Sequence, residues 1–352
     1  MSGTVQAPLS PDFLLQSRGV SHPLGAYVVG AAFSRDGGLA AFALGDGTLR
    51  LARPDQPEAA WETVAAHAGA VLALAPDALP GGFVTGGDDG VFRRITPEGM
   101  TDIARFGAMK WVEQVTSFGD GKAGWLACSV GRTVHLFDAA GQEGRRFDHP
   151  STVTGIAFDG RGKRLAASHY NGASLRFTAA REDKPRVLEW KGSHIGVILH
   201  PAAEAVVTAM QENALHGWKL PDGQHMRMSG YPAKTESLSF SRNGKWLASS
   251  GADLIVLWPF FGGGPMGKPP LELGGGTGAL CTRVACHPGM DSVAAGFDDG
   301  SVILADIDSA RILPVAAGGR GKVTALAWSP DGARLAFGTE SGFAALVDFS
   351  RR

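Results

Sequence analysis

Hydrophobic positions along the chain come in short runs separated by turn residues. The pattern is plainest from Val323 to Phe349, where VTALAW, RLAFGT and FAALVDF are set apart by SPDGA and ESG. Asp331-Gly332 and Ser341-Gly342 are turn dipeptides, and apolar or β-branched runs of about five to seven residues between such turns predict strands. The runs are nearly continuous in hydrophobicity, which predicts strands covered on both faces. A three-stranded meander this small cannot bury both faces alone, so it needs neighbours of its own kind.

The rest of the chain supplies them. Aligned on the residue that ends the first strand, the same order recurs at Phe33, Leu74, Phe118, Phe158, Leu199, Phe240, Cys286 and Trp328, with anchors 40 to 46 residues apart. That is the spacing of four-stranded propeller blades. A fourth, outer strand is expected in the more polar segments between units: AAWETVAAH, TDIARFG, GRRFDH, RVLEW, QHMRMSG, LELGG and RILPV. The segment Phe13 to Ser17 (FLLQS) is expected to pair, around Leu14, with the strand around Leu346 and so close a ring. One all-β domain over residues 1–352 follows, an eight-bladed propeller of four-stranded antiparallel blades, with seven blades as the alternative.

Composition narrows the function classes. Fifty glycines, about twice the usual share, read as many tight turns. A formal net charge of −1 gives no electrostatic case for nucleic acid or an anionic membrane. Three cysteines (Cys128, Cys281, Cys286) are too few and too odd for a disulfide framework and favour a reducing compartment. The N-terminal stretch carries no basic start followed by an apolar core, and no uninterrupted apolar run of about eighteen residues exists. A cytoplasmic protein, monomeric on its own, is expected.

Several residues sharpen the repeat. Phe33-Ser34-Arg35-Asp36-Gly37 and Trp328-Ser329-Pro330-Asp331-Gly332 share one turn, and Gly86-Gly87-Asp88-Asp89-Gly90 and Gly296-Phe297-Asp298-Asp299-Gly300 share another. His22, His67 and His149 stand before first strands, with His194 slightly displaced. In these features, over residues 12–350, the chain resembles the WD-repeat β-propeller family. It departs from the family in having no Trp-Asp dipeptide, and no repeat holds the complete buried His–Ser/Thr–Asp–Trp set.

Catalytic and cofactor motifs fail on inspection. Gly262 to Lys268 nearly spells a P-loop, but Pro269 replaces the hydroxyl residue and Pro269-Pro270 forbids the helix that would hold a phosphate. Cys281 and Cys286 are expected on opposite faces of one strand, with no second ligand pair nearby, so no metal is expected. His200-Pro201 and His287-Pro288 are expected as exposed turn histidines. No GxSxG is present, and the recurring Asp-Gly pairs are hairpin turns, not acid/base carboxylates. No enzyme activity and no cofactor are expected.

Surface recognition remains. The resemblance implies that the loops before the first strand and between the second and third share one face around the channel. That face would carry Tyr27, Lys110, Trp111, Arg132, His169, Tyr170, Gln211, Glu212, Tyr231, Lys234, Phe297, Arg320, Lys322 and Glu340. Tyr, Trp and Arg are enriched at interface hot spots; the other reading is that each aromatic plugs its own gap. A second candidate is the loop bearing Phe260, Phe261, Met266 and Lys268, which either folds back over its blade or docks a partner. The function expected is a non-enzymatic scaffold for a protein or peptide partner. The alternative is an enzyme or small-molecule sensor at the channel mouth, resting on the weak set Glu212, Glu340 and His169.

Overall fold

The computed structural model describes residues 13–121, 124–276 and 278–350. The first twelve residues, where a secretory signal was sought, lie outside them. The strands predicted within the repeats are present, and they assemble into seven antiparallel sheets in chain order. In the first, Val28–Phe33, Ala40–Leu44, Thr48–Ala52 and Glu62–Ala65 follow one another from the inner strand outward. A second strand such as Ala40–Leu44 is buried throughout, whereas an outer strand such as His225–Ser229 alternates between exposed and buried. Continuous apolar runs therefore became central strands, and the polar segments between repeats became rims.

Inner strands of most consecutive sheets lie side by side, and Val323–Trp328 of the last lies against Val28–Phe33 of the first. The core is a set of apolar clusters between neighbouring sheets. At the seam, Val28, Phe42 and Leu44 of the first sheet pack with Ala336 and Leu346 of the last. Burying a side chain such as Val28, Phe42 or Leu44 contributes about 1.5–3 kcal/mol.

The expectation of eight blades is corrected by the hydrogen bonding. Six sheets have four strands, and repeats four and five share a single six-stranded one. Two strands of 14 residues, Arg164–Phe177 and Arg186–Leu199, make that sheet continuous. Arg164–Phe177 doubles back near Asn171 (φ 65°), because Thr178 N donates to Lys163 O at 3.0 Å. Arg186–Leu199 then pairs with Gly172 to Leu175 through its first half and with Val206 to Met210 through its second. The connection between repeats is so short that Tyr170 still pairs with Ser193, and the ladder does not break. Counted as continuous sheets, the ring has seven blades.

Ring closure uses a strand six residues further on than expected. Gly19–Pro23 pairs with Phe343–Asp348 in the register Val20↔Leu346. Leu14–Arg18 forms one helical turn, ended by Gly19 N donating to Leu15 O. Leu15 is buried against Val315, Phe337 and Val347, so the apolar part of FLLQS packs between the last two sheets instead of pairing. Two anchors also move. Pro76, not Leu74, pairs with the first residue of its second strand, and Ser117 pairs with the core residue Leu126 in place of Phe118.

A bulge recurs at the start of the inner strand, between Val28 and Gly30, Val71 and Ala73, Cys281 and Arg283, and Val323 and Ala325. The bulged residue is freed from the ladder. At Thr282 and Thr324 its hydroxyl donates to the next inner strand, on Val323 O at 2.7 Å and, across the seam, on Val28 O at 2.6 Å. The Cys281–Arg283 bulge also overturns the expectation of opposite faces, since Cys281 and Cys286 contribute to the same cluster. Burial pushes both thiols up to about 12, which leaves them unreactive near neutrality.

Glycines in the second strands make room for neighbouring sheets. A Cβ on Gly86, Gly296 or Gly338 would fall under 3.0 Å from Val112, Val323 or Val28 respectively. On the opposite end of the ring, Asp77 is fully buried and accepts from Arg94 Nε and, at 3.1 Å, Arg94 Nη2. His200 and His287, expected as exposed, are buried there. Each meets the turn carbonyl of the next repeat through Nε2, on Gly244 O and Gly332 O at 3.0 Å.

Candidate functional site

Loops before the first strands and between the second and third strands do share one face. Gly45 N donates to Tyr27 O, Asp298 N to Leu280 O and Glu340 N to Lys322 O, each at 2.9 Å. On this face Tyr27, Trp111 and Tyr170 are about half exposed, and Lys110, Arg132 and Lys234 stand in solvent. Met109 was missed by sequence reasoning. It is 88% exposed and sits at φ 64°, a left-handed conformation costly for a residue with a Cβ. Met109, Lys110 and Trp111 thus form a consecutive apolar-basic-aromatic projection.

Four other residues assigned to this face serve the ring instead. Tyr231 is 8% exposed; its hydroxyl bonds Ser249 Oγ and receives the Trp258 indole N–H, both at 2.6 Å. Burial pushes its phenol up to about 12. It occupies the place His67 holds in the second repeat, where Nε2 meets Thr85 Oγ1 and Nδ1 meets Asp89 Oδ1, both at 2.9 Å. Phe297 is buried in the cluster between its sheet and the preceding one. Arg320 lies 4.9 Å over the Phe343 ring and donates to Ala317 O. Lys322 pairs with Glu236 at 2.8 Å, beside Arg283 at 3.0 Å. Burial alone would raise the Glu236 carboxyl, but hydrogen bonds from Lys322 and Arg283 hold it below its ordinary value. Of these charges Glu236 and Arg283 line a cavity of about 470 Å³ that Gln211 and Lys234 also border.

The weak catalytic set does not gather. Glu212 accepts from Ser193 N at 2.9 Å, Glu340 accepts from Lys322 N at 3.1 Å, and His169 Nδ1 bonds Tyr170 O at 2.9 Å. Among the described residues no three His, Cys, Asp or Glu side chains are placed to hold a metal ion. The second candidate loop folds back in part. Phe260 is half-buried, 5.0 Å from the Phe240 ring and 6.2 Å from His200. Phe261 and Met266 stay exposed, and Lys268 Nζ bonds Gly262 O at 2.9 Å and covers the Phe261 ring.

Histidines buried beside these loops make the ring acid-sensitive. His149, between Arg132 O, Arg176 and His169, is lowered to about 4, chiefly by burial and then by the Arg176 charge. His216, stacked 3.9 Å on Trp190, is lowered to about 3, by burial and then by His225. Both are neutral in the folded state, so their stabilisation is whole above pH 6.5 and declines as pH falls towards 4 and 3. His149 alone gives a loss of about 3 kcal/mol over that range. In urea melts, His149→Gln should flatten the decline between pH 6.5 and 4; an unchanged slope would refute the assignment.

The chain folds as a β-propeller of antiparallel sheets, and its shared turns and its His–Thr–Asp and Tyr–Ser–Trp sets are similar to those of WD-repeat propellers. The sequence model of the anaphase-promoting complex subunit 4 WD40 domain matches residues 284–351. No curated protein matches the chain. Among solved structures, the computationally designed Ika8 protein aligns with a TM-score of 0.73 at 17% identity, over 92% of this chain and 96% of its own, a likeness of fold. WD40 propellers generally serve as protein-interaction scaffolds and are typically non-enzymatic.

Proposed function

We propose that this protein is a non-enzymatic cytoplasmic scaffold that holds a protein or peptide partner on the face bearing Tyr27, Lys110, Trp111, Arg132, Tyr170 and Lys234. The observation that carries this reading is the projection Met109-Lys110-Trp111. Two large apolar side chains are held out in solvent there, one on a strained backbone, flanked by cations and with Tyr170 exposed on the same face. Large exposed apolar groups beside cations are the composition of an interface centre. The cavity lined by Glu236 and Arg283 offers no comparable set of convergent reactive groups among the described residues.

The test is a tagged pull-down from the native cell, read by mass spectrometry. Trp111→Ala with Tyr170→Ala should abolish capture of the partner that the unaltered protein retains, with little change in thermal unfolding because both side chains are exposed. Undiminished capture by the double variant would refute this face.

A further inference from the structure

On the opposite face, the loops between first and second strands and between third and outer strands form a groove across repeats four to six. One end is a cavity of about 250 Å³ walled by Arg164, Phe177 and Arg186. The other is a cavity of about 380 Å³ under Phe260 and Phe261. Glu204 and Pro221 line both, so the two cavities adjoin across these residues.

The ends are built alike. Phe177 is 56% exposed with the Arg164 guanidinium 5.5 Å from its ring centre, and exposed Phe261 has Lys268 Nζ at 5.1 Å. Buried Leu175 and Leu220 floor one end and Met226 the other. Arg164 donates to Ala203 O at 3.0 Å, Arg186 to Leu220 O and Lys219 to Gln224 Oε1 at 2.9 Å. These bonds fix the cations without neutralising them: among the described residues none of the three has a carboxylate partner. Lys184 pairs with Glu182 at 2.5 Å, and the acids of the groove itself are Glu204 and Asp222. Guanidiniums held by backbone carbonyls are oriented for a further bidentate acceptor.

We propose that this groove binds an extended acidic segment of a partner protein, with one large apolar side chain seated at each end and carboxylates over Arg164 and Arg186. A polyanion without apolar groups would meet the cations and leave Phe177 and Phe261 in water. A purely apolar helix would leave the cations uncompensated. The surface is separate from the face assigned above, and each stands or falls alone.

The probe is a phage-displayed library of random twelve-residue peptides, long enough to span about 40 Å when extended. It is selected on the immobilised full chain. Enriched peptides should carry several Asp or Glu with two large apolar residues. The leading peptide, labelled with fluorescein and followed by anisotropy, should lose about tenfold or more in affinity for Phe177→Ser and for Arg186→Glu. Lys184→Glu, at a solvent-exposed position that cannot disturb folding, should weaken it in the same direction. Trp111→Ala should leave it unchanged. Neutral or basic winners, or binding to the groove variants within about twofold of the original, would overturn the proposal. So would displacement by oligodeoxythymidine or phosphatidylserine vesicles that depends on Arg186 and not on Phe177.

Discussion

Gly338→Val should destabilise the ring by about 3 kcal/mol or more, near the upper end of what overpacking costs. Gly338 lies in the second strand of the last sheet, and any Cβ there would meet Val28 of the first sheet at under 3.0 Å. Val28 cannot yield, because it is fully buried and its own carbonyl accepts from the Thr324 hydroxyl. The clash therefore falls on the one seam that turns a row of sheets into a ring. Gly196 is the control: an added Cβ there meets nothing within 4 Å, so Gly196→Ala should be close to neutral. Denaturant melts read both. A Gly338→Val protein within about 1 kcal/mol of the original would show that the seam is not closed as described.

The second large effect is expected at Asp77. Arg94→Met removes the cation that meets both carboxylate oxygens of a fully buried Asp77 and leaves that charge only the Leu79 N–H and the neighbouring Arg35, at a cost of about 3 kcal/mol. Arg94→Met combined with Asp77→Leu should recover most of that loss, because the larger share is the stranded charge. Equal destabilisation in the single and double variants would contradict this account. Thermal unfolding of the four proteins of the cycle decides it.

The repeat and its strands were legible because turn dipeptides such as Asp331-Gly332 mark every unit and apolar runs between them fit no helix. The number of blades was not. Whether repeats four and five part into two sheets depends on Tyr170 pairing with Ser193, a matter of a short connection's path in space and not of residue type. The closing strand was misplaced because FLLQS is more apolar than GVSHP. Burial of Leu15 by local helical packing met the same demand without a ladder.

At the candidate site, residue type alone could not separate Tyr27 and Tyr170 from Tyr231. A signal was present: Tyr231 and Ser249 stand 18 residues apart, as His67 and Thr85 do, which marks Tyr231 as the buried member of the family's set. Arg320 and Lys322 were misplaced for a similar reason, since a nearby ring and carboxylate engage them within the fold. Met109 was overlooked because nothing in FGAMKWV foretells a left-handed methionine.

The pairing of Val20 with Leu346 also sets the order of events during synthesis. At about 5–20 residues per second, the strand that completes the toroid leaves the ribosome roughly 15 to 65 seconds before its mate exists. Throughout that interval the nascent chain carries an unsatisfied strand edge at Gly19–Pro23, the kind of surface that holdase chaperones cover. The ring can close only once Leu346 has been made.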